Sequence, residues 1–460
     1  MRSGAASRRN DHGAPEASNE GSFMLAAFDR LARPRFHMVS AISMLWLGSL
    51  AGSGCAFLTQ ILLARNLNPA GFGAFAAALN SVTLVAPLAS FGLGGFWLRA
   101  FGEEGWEAER WLRASLRYAA GTTIAVMAGL MLWAFLGPHD DATRWLLGIL
   151  SFHLVGFVAV ELVSSKLQLE ARYRALALWQ FFPHMVRLTL VATLALAVAR
   201  GLRLQDVVIV YAMTAAAVSG LGVRYLWQMR QGRLQLHGHG PKPDTAGWRP
   251  APTAMQVMAE AWPFGVAGVF YLIYFQIDIV LLKYLQGDQA AGLYNVAFVV
   301  MGAVYLLPSV LYQKFLLPKI HRWASHDREQ FVRVYKIGSV AMLGIGLGAM
   351  AAVWLLAPWA VTFLFGAQYA EAAAVLRILA LAIPMRFVST AVGSTLTTSN
   401  HMKTKVKLMG IVAVVNIVGN LLLIPRYDIY GSAAATLASE AVLLCLYVMV
   451  SKRSVFSETR

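Results

Sequence analysis

Residues 74–98 read AFAAALNSVTLVAPLASFGLGGFWL, twenty-five consecutive positions without a charged side chain. An α-helix rises about 1.5 Å per residue, so roughly 20 apolar residues cross the hydrocarbon layer of a bilayer. This run meets that length. Comparable runs lie near 38–63, 116–136, 144–165, 176–199, 206–227, 256–282, 290–313, 335–357, 372–398, 405–424 and 431–451. The sequence therefore predicts an all-α polytopic membrane protein of about twelve transmembrane helices. Internal prolines such as Pro87, Pro183, Pro263, Pro308 and Pro384 fit that reading, because neighbouring helices or side chains can satisfy the carbonyls a proline frees.

Composition agrees: 58% of residues are hydrophobic and 13% charged, far from the balance of a water-soluble domain. Lysine and arginine give an independent test. With a cytoplasmic N-terminus, 30 of the 39 fall in segments facing the cytoplasm, six in outward loops, and three, Arg187, Arg377 and Arg386, inside spans. That bias is the positive-inside rule for an even number of spans with both ends in the cytoplasm. It also accounts for the net charge of +16 without nucleic acid, whose binders gather basic residues on one soluble face. Anionic membrane lipids suffice as partners for these loops.

The chain repeats itself. Residues 61–75, ILLARNLNPAGFGAF, are echoed at 280–294 by VLLKYLQGDQAAGLY, each with a Leu pair, a polar turn, a glycine (Gly73, Gly292) and an aromatic (Phe75, Tyr294). Each copy closes the first span of a group of six and opens the second. An even number of spans separates them, so the two groups share one orientation and form parallel repeats about an axis along the membrane normal. The expected organisation is a disordered cytoplasmic tail over 1–37, a six-helix bundle over 38–227, a cytoplasmic linker over 228–255, a second six-helix bundle over 256–451, and a cytoplasmic tail over 452–460. Two such bundles around a central cavity suit alternating access.

Four segments carry a family resemblance: QILLARNLNPAGFGAFAAALNSVTLVAPLASFGLGGFWLR at 60–99, QIDIVLLKYLQGDQAAGLYNVA at 276–297, LFGAQYAEAAAVLRILAL at 364–381, and NIVGNLLLIPRYDIYGSAAATLASE at 416–440. With the hydropathy pattern over about 38–451, the chain resembles the polysaccharide-type flippases of the multidrug/oligosaccharidyl-lipid/polysaccharide exporter superfamily. The resemblance implies a non-enzymatic carrier in the bacterial inner membrane. Such a carrier moves an undecaprenyl-diphosphate-linked oligosaccharide from the cytoplasmic to the periplasmic leaflet for exopolysaccharide, capsule or O-antigen assembly, alongside polymerase and export machinery. Its alternatives are a cation-coupled multidrug antiporter of the same superfamily and a membrane polysaccharide polymerase or ligase. Residues 38–63 lack the carboxylate typical of the antiporters' first helix.

Ionisable groups within spans are costly and usually face a cavity or a partner. Arg187 and Arg386 lie near the centres of their spans and are the candidates for a diphosphate, to which guanidinium offers a planar fork of donors. Arg377, nine residues before Arg386, faces the opposite side of an ideal helix and is a weaker candidate for the same cavity. Glu440 lies at a depth where it could neutralise Arg386, which would weaken that arginine's claim on a ligand. Asp278, where the first half has Thr59, and nearby Lys283 are candidate coupling or gating charges, as is Glu440. Glu161 and Glu260 read as solvated groups at cytoplasmic ends.

No cofactor or metal is expected. His237 and His239 lack further ligands nearby, and Cys55 and Cys445 sit in the first and last spans as small buried hydrophobes. His139, Asp140 and Asp141 occupy a loop too short for a catalytic platform, and there is no phosphate-binding loop for ATP hydrolysis.

Overall fold

The computed structural model describes the backbone of residues 20–197, 202–243, 250–309, 312, 328–396 and 402–455, with side chains described from residue 43 onward. Among these residues the structure is helical, without strands. In chain order the helices are α1 (Glu20–Asn66), α2 (Pro69–Ser90), α3 (Leu93–Glu104), α4 (Arg110–Leu136), α5 (Asp141–Leu150), α6 (His153–Leu169) and α7 (Tyr173–Ala197). They continue with α8 (Leu204–Arg230), α9 (Ala254–Gln286), α10 (Asp288–Ser309), α11 (Arg328–Phe365), α12 (Ala372–Ala380), α13 (Ile383–Thr395) and α14 (Met402–Val450). The backbone of α1 is already helical from Glu20, within the stretch read as a tail, and residues 1–19 lie outside the described residues. Of the expected linker, α8 extends to Arg230, α9 starts at Ala254, and 244–249 lie outside the described residues.

By length and composition nine described segments can cross a bilayer, or ten when α12 and α13, bent by 44°, count as one span. Two of the nine are far longer than a span. The 68-residue segment Pro69–Leu136 includes a break where Phe91 and Gly92 adopt φ of 42° and 76°, so the run at 74–98 is divided between α2 and α3. The 51-residue segment Lys403–Arg453 would be roughly 75 Å long if straight. Instead Asp428, at φ 52° and ψ −135°, turns the chain back on itself. The arms of α14 then run antiparallel: a Cβ on Gly431 would stand 2.3 Å from the Leu423 carbonyl oxygen, and Ser432 Oγ donates to Asn420 Oδ1 at 2.8 Å.

Local sequence explains the helix starts. Asn68 caps α2 by accepting from Gly71 N at 2.7 Å, with Pro69 at the first turn, where its missing N–H costs nothing. Thr253 and Gln256 form a reciprocal capping box on α9.

The repeated phrase meets its own copy. A Cβ on Gly73 would fall 1.7 Å from the carbonyl oxygen of Asp288, and one on Gly292 would fall 2.1 Å from that of Pro69. Pro69 and Asp288 hold equivalent positions in the two phrases, as do Gly73 and Gly292, so the contact is reciprocal, as a two-fold relation requires. It seats α2 against α10, and α2 also packs along α9. At the same end Arg65 donates to the carbonyls of Phe363 and Leu364, and Tyr369 OH donates to Leu67 O at 3.2 Å. At the other end of this seam Arg99 pairs with Glu260. Large apolar side chains such as Leu136, Leu196, Val340 and Leu355 point outward and exposed, the surface a lipid environment covers.

Candidate functional site

A cavity of about 560 Å³ opens among α9, α13 and α14, lined by Tyr271, Tyr274, Arg386, Thr390, Lys405 and Tyr447. Arg386 stands in the first turn of α13, two residues after Pro384. Its guanidinium lies between the rings of Tyr274, Phe275 and Tyr305, with centroids 5.4, 5.4 and 5.3 Å away. Such faces favour a cation where water is scarce. Nη1 donates to Tyr274 OH at 2.9 Å and to Glu440 Oε1 at 3.2 Å.

The Arg386–Glu440 pair considered from the sequence therefore forms, with side chains 13% and 3% exposed. It does not withdraw Arg386 from the cavity. Both bonds fall on Nη1, and Lys405 brings a second cation to the same wall, so the lining stays net positive. Lys405 stands at the cytoplasmic end of its span, where the distribution of lysine and arginine alone assigns it to the adjoining loop. The signal that could have moved it inward is its spacing from Met409 and Val412, four and seven residues on, which puts all three on one helical face.

Asp278 is 3% exposed on α9. It accepts hydrogen bonds from Asn420 Nδ2 at 2.7 Å, Thr436 Oγ1 at 2.6 Å and Tyr294 OH at 2.9 Å. Ser432 extends the network through Asn420. A void of about 20 Å³ separates this cluster from the Arg386–Glu440 pair, with Asp278, Tyr294, Thr436, Tyr274 and Glu440 in its wall. Lys283 does not reach Asp278; it pairs with Asp288 at 2.5 Å. Among the described residues the first half shows no counterpart of this network: Thr59 bonds the Cys55 carbonyl of its own helix, and Phe75, at Tyr294's place in the repeat, packs edge-on against Tyr211.

The structure separates the three intramembrane arginines. Arg187, on α7, stacks on Tyr211 with its guanidinium 4.7 Å from the ring centroid, and its Nη2 lies 3.3 Å from His153 Nδ1. Its Nε is buried without a partner among the described residues, and it does not line the Arg386 cavity. Arg377, on α12, donates from Nε to the Trp354 carbonyl at 3.1 Å and covers that indole, also away from the cavity. The residues brought together are thus Arg386, Lys405, Glu440 and, behind them, Asp278.

A helical bundle with a cation-lined cavity buried among membrane-length helices defines a membrane transporter. A family model described as polysaccharide biosynthesis protein matches residues 38–323, and the chain belongs to that family. A search of curated proteins finds no match to the sequence. Among solved structures the fold is similar to that of the lipid II flippase MurJ in its inward closed conformation, with TM-score 0.68 and 14% identity over 88% of this chain and 87% of that one. It is also similar to multidrug resistance MATE family transporters of the MOP superfamily. The inward-facing one has TM-score 0.65 and 12% identity over 90% and 96% of the two chains, and the outward-facing one 0.61 and 12% over 91% and 97%. These relatives are transporters and flippases, not enzymes.

Proposed function

We propose that this chain carries an undecaprenyl-diphosphate-linked oligosaccharide from the cytoplasmic to the periplasmic leaflet of a bacterial inner membrane, feeding exopolysaccharide, capsule or O-antigen assembly. The observation that carries this reading is the cavity holding Arg386 and Lys405. A diphosphate crossing the hydrocarbon layer must exchange water for charge-assisted donors, and guanidinium and ammonium groups already fixed within the membrane supply them. Dividing Pro69–Leu136 between α3 and α4 and Lys403–Arg453 at Asp428, and joining α12 to α13, gives twelve spans, and the lysine and arginine bias puts both termini in the cytoplasm. Two six-helix bundles then rock against each other, with the Gly73–Gly292 contact closing one end of the seam between them.

Asp278 supplies the coupling charge. A carboxylate surrounded by hydroxyl and amide groups is a site for a proton or a small hard cation, and it lies next to the pair that positions Arg386. Loading Asp278 changes the field across the small void and so biases the Glu440–Arg386 pair.

The second reading, a cation-coupled multidrug antiporter, is favoured by the likeness to MATE transporters. The deciding experiment is deletion of the gene in its own host. This reading expects the lipid-linked unit to accumulate in the inner leaflet and surface glycan to disappear. Intact glycan with new sensitivity to cationic drugs supports the antiporter, and polymer of altered length supports a polymerase.

A further inference from the structure

A second cavity, of about 340 Å³, lies in the other half among α3, α6 and α7, and differs chemically from the first. Its polar lining consists of Glu161, Ser164, Ser165, Gln168 and Gln180, with no lysine or arginine. The first four stand at i, i+3, i+4 and i+7 of α6, one polar stripe of a helix whose other residues are apolar apart from His153 at its start and Lys166, which pairs with Glu170.

Glu161 is not the solvated edge group its position suggested. Ser90 Oγ donates to its Oε2 at 2.5 Å. Ser164 is 6% exposed, and its hydroxyl has no partner among the described residues, an unmet hydrogen-bonding group in the cavity wall. Gly94 keeps the floor open: a Cβ there would lie 2.7 Å from Ser165 Oγ and 3.1 Å from Glu161 Oε1.

We propose that this cavity receives the uncharged sugar end of the substrate while Arg386 and Lys405 hold its diphosphate. The inference rests on the flippase reading above. A lone carboxylate repels a diphosphate and accepts from sugar hydroxyls, while serine and glutamine both donate and accept, the mixture a polyol needs. The volume falls within the range of small-molecule pockets, about 300–1,000 Å³.

The two cavities flank one seam. A Cβ on Gly95, also in the second lining, would touch the Phe264 ring of α9 at 2.7 Å. Ala267 and Gly268, one turn along α9, line the first cavity. A molecule with an anionic end and a hydroxylated end can therefore bridge both halves across the contact of α3 with α9, and engaging both ends at once ties occupancy to the relative position of the halves.

The test uses the full chain in lipid nanodiscs, titrated with undecaprenyl diphosphate and, separately, with undecaprenyl diphosphate carrying one glucose. Glu161→Gln and Ser164→Leu should weaken the glucose-bearing probe roughly tenfold, the loss of one or two hydrogen bonds involving a charged group. The bare diphosphate should bind both variants as it binds the wild type, which also shows that they are folded. Arg386→Ala should weaken both probes. Equal weakening of both probes by Glu161→Gln and Ser164→Leu, or no change in either, overturns the sugar site and leaves the flippase reading standing. A wild type that binds neither probe overturns both. Binding of ethidium that Glu161→Gln abolishes, with the glucose-bearing probe indifferent, makes the cavity a cation site and overturns the proposal.

Discussion

Gly73 and Gly292 each stand where a methyl group would collide with the carbonyl of the other half's helix, at Asp288 and at Pro69. Both halves of the chain thus contribute the same small residue, at the same place in the repeat, to one interface. This contact closes one end of the seam. Leucine at either position cannot be accommodated, and the backbone must retreat.

Gly73→Leu or Gly292→Leu is therefore expected to hold this end apart without unfolding the separate bundles. Ala77 lies four residues after Gly73 on the same helical face and is fully buried. In a chain carrying Cys55→Ala and Cys445→Ala, the thiol introduced by Ala77→Cys should react with a membrane-impermeant maleimide several-fold faster when either leucine is present. An unchanged rate contradicts the gating role.

Arg386 and Glu440 combine a structural and a functional task that mutation can separate. Removing one partner leaves the other charge buried, so Arg386→Met or Glu440→Gln alone should cost about 3–5 kcal/mol of stability. The double variant should recover most of that in thermal melting, yet remain without transport because the cavity has lost its guanidinium. Recovery of transport together with stability would reduce Arg386 to a structural role.

Asp278→Asn preserves size and keeps hydrogen-bonding capacity toward Asn420, Thr436 and Tyr294, but removes the charge. The variant should fold and bind substrate normally in nanodiscs, while transport in proteoliposomes loses its dependence on a proton or sodium gradient. Retention of that dependence would place coupling elsewhere.

His139, in the loop between α4 and α5, packs against Trp133 and Tyr284 and so joins the two halves. Its burial there, with Lys283 and Arg144 nearby and only partly offset by a hydrogen bond at Trp133 and by Asp140, holds the imidazole below its ordinary value of 6.5. A base whose folded pKa is depressed contributes stability above the unfolded pKa and loses it as pH falls through the folded one. The melting temperature should fall as the pH drops below about 6.5, and His139→Phe should flatten that fall. Equal slopes for the two proteins would exclude this histidine as the cause.

Much of the fold was legible because the bilayer imposes a simple requirement: long runs without charge. The run at 74–98 announced a membrane helix and the repeated phrase announced two halves of one orientation, whereas the meeting of the halves at Gly73 and Gly292 shows only in the packing. The break at Phe91 and Gly92 was less visible, since Gly92 is one glycine among several there, and only packing shows that a Cβ on it would strike Gly265 N. The site was harder still. Arg386 stood out by depth, whereas Lys405 and Glu161, close to span ends, looked solvated until the helices around them were in place. Asp278 was conspicuous, but its partners lie more than 140 residues away on α14, apart from Tyr294, and sequence spacing does not reveal such a contact.

The central claim is that Arg386 and Lys405 line the route of a lipid-linked diphosphate. Its most direct test is translocation of undecaprenyl-diphosphate-linked glucose across proteoliposomes holding the purified chain, read by enzymatic capture of the sugar at the far leaflet. Wild-type protein should move the lipid, and Arg386→Ala and Lys405→Ala should each abolish the movement while remaining folded. Undiminished movement in both variants, or none with the wild type under a proton or a sodium gradient, would contradict it.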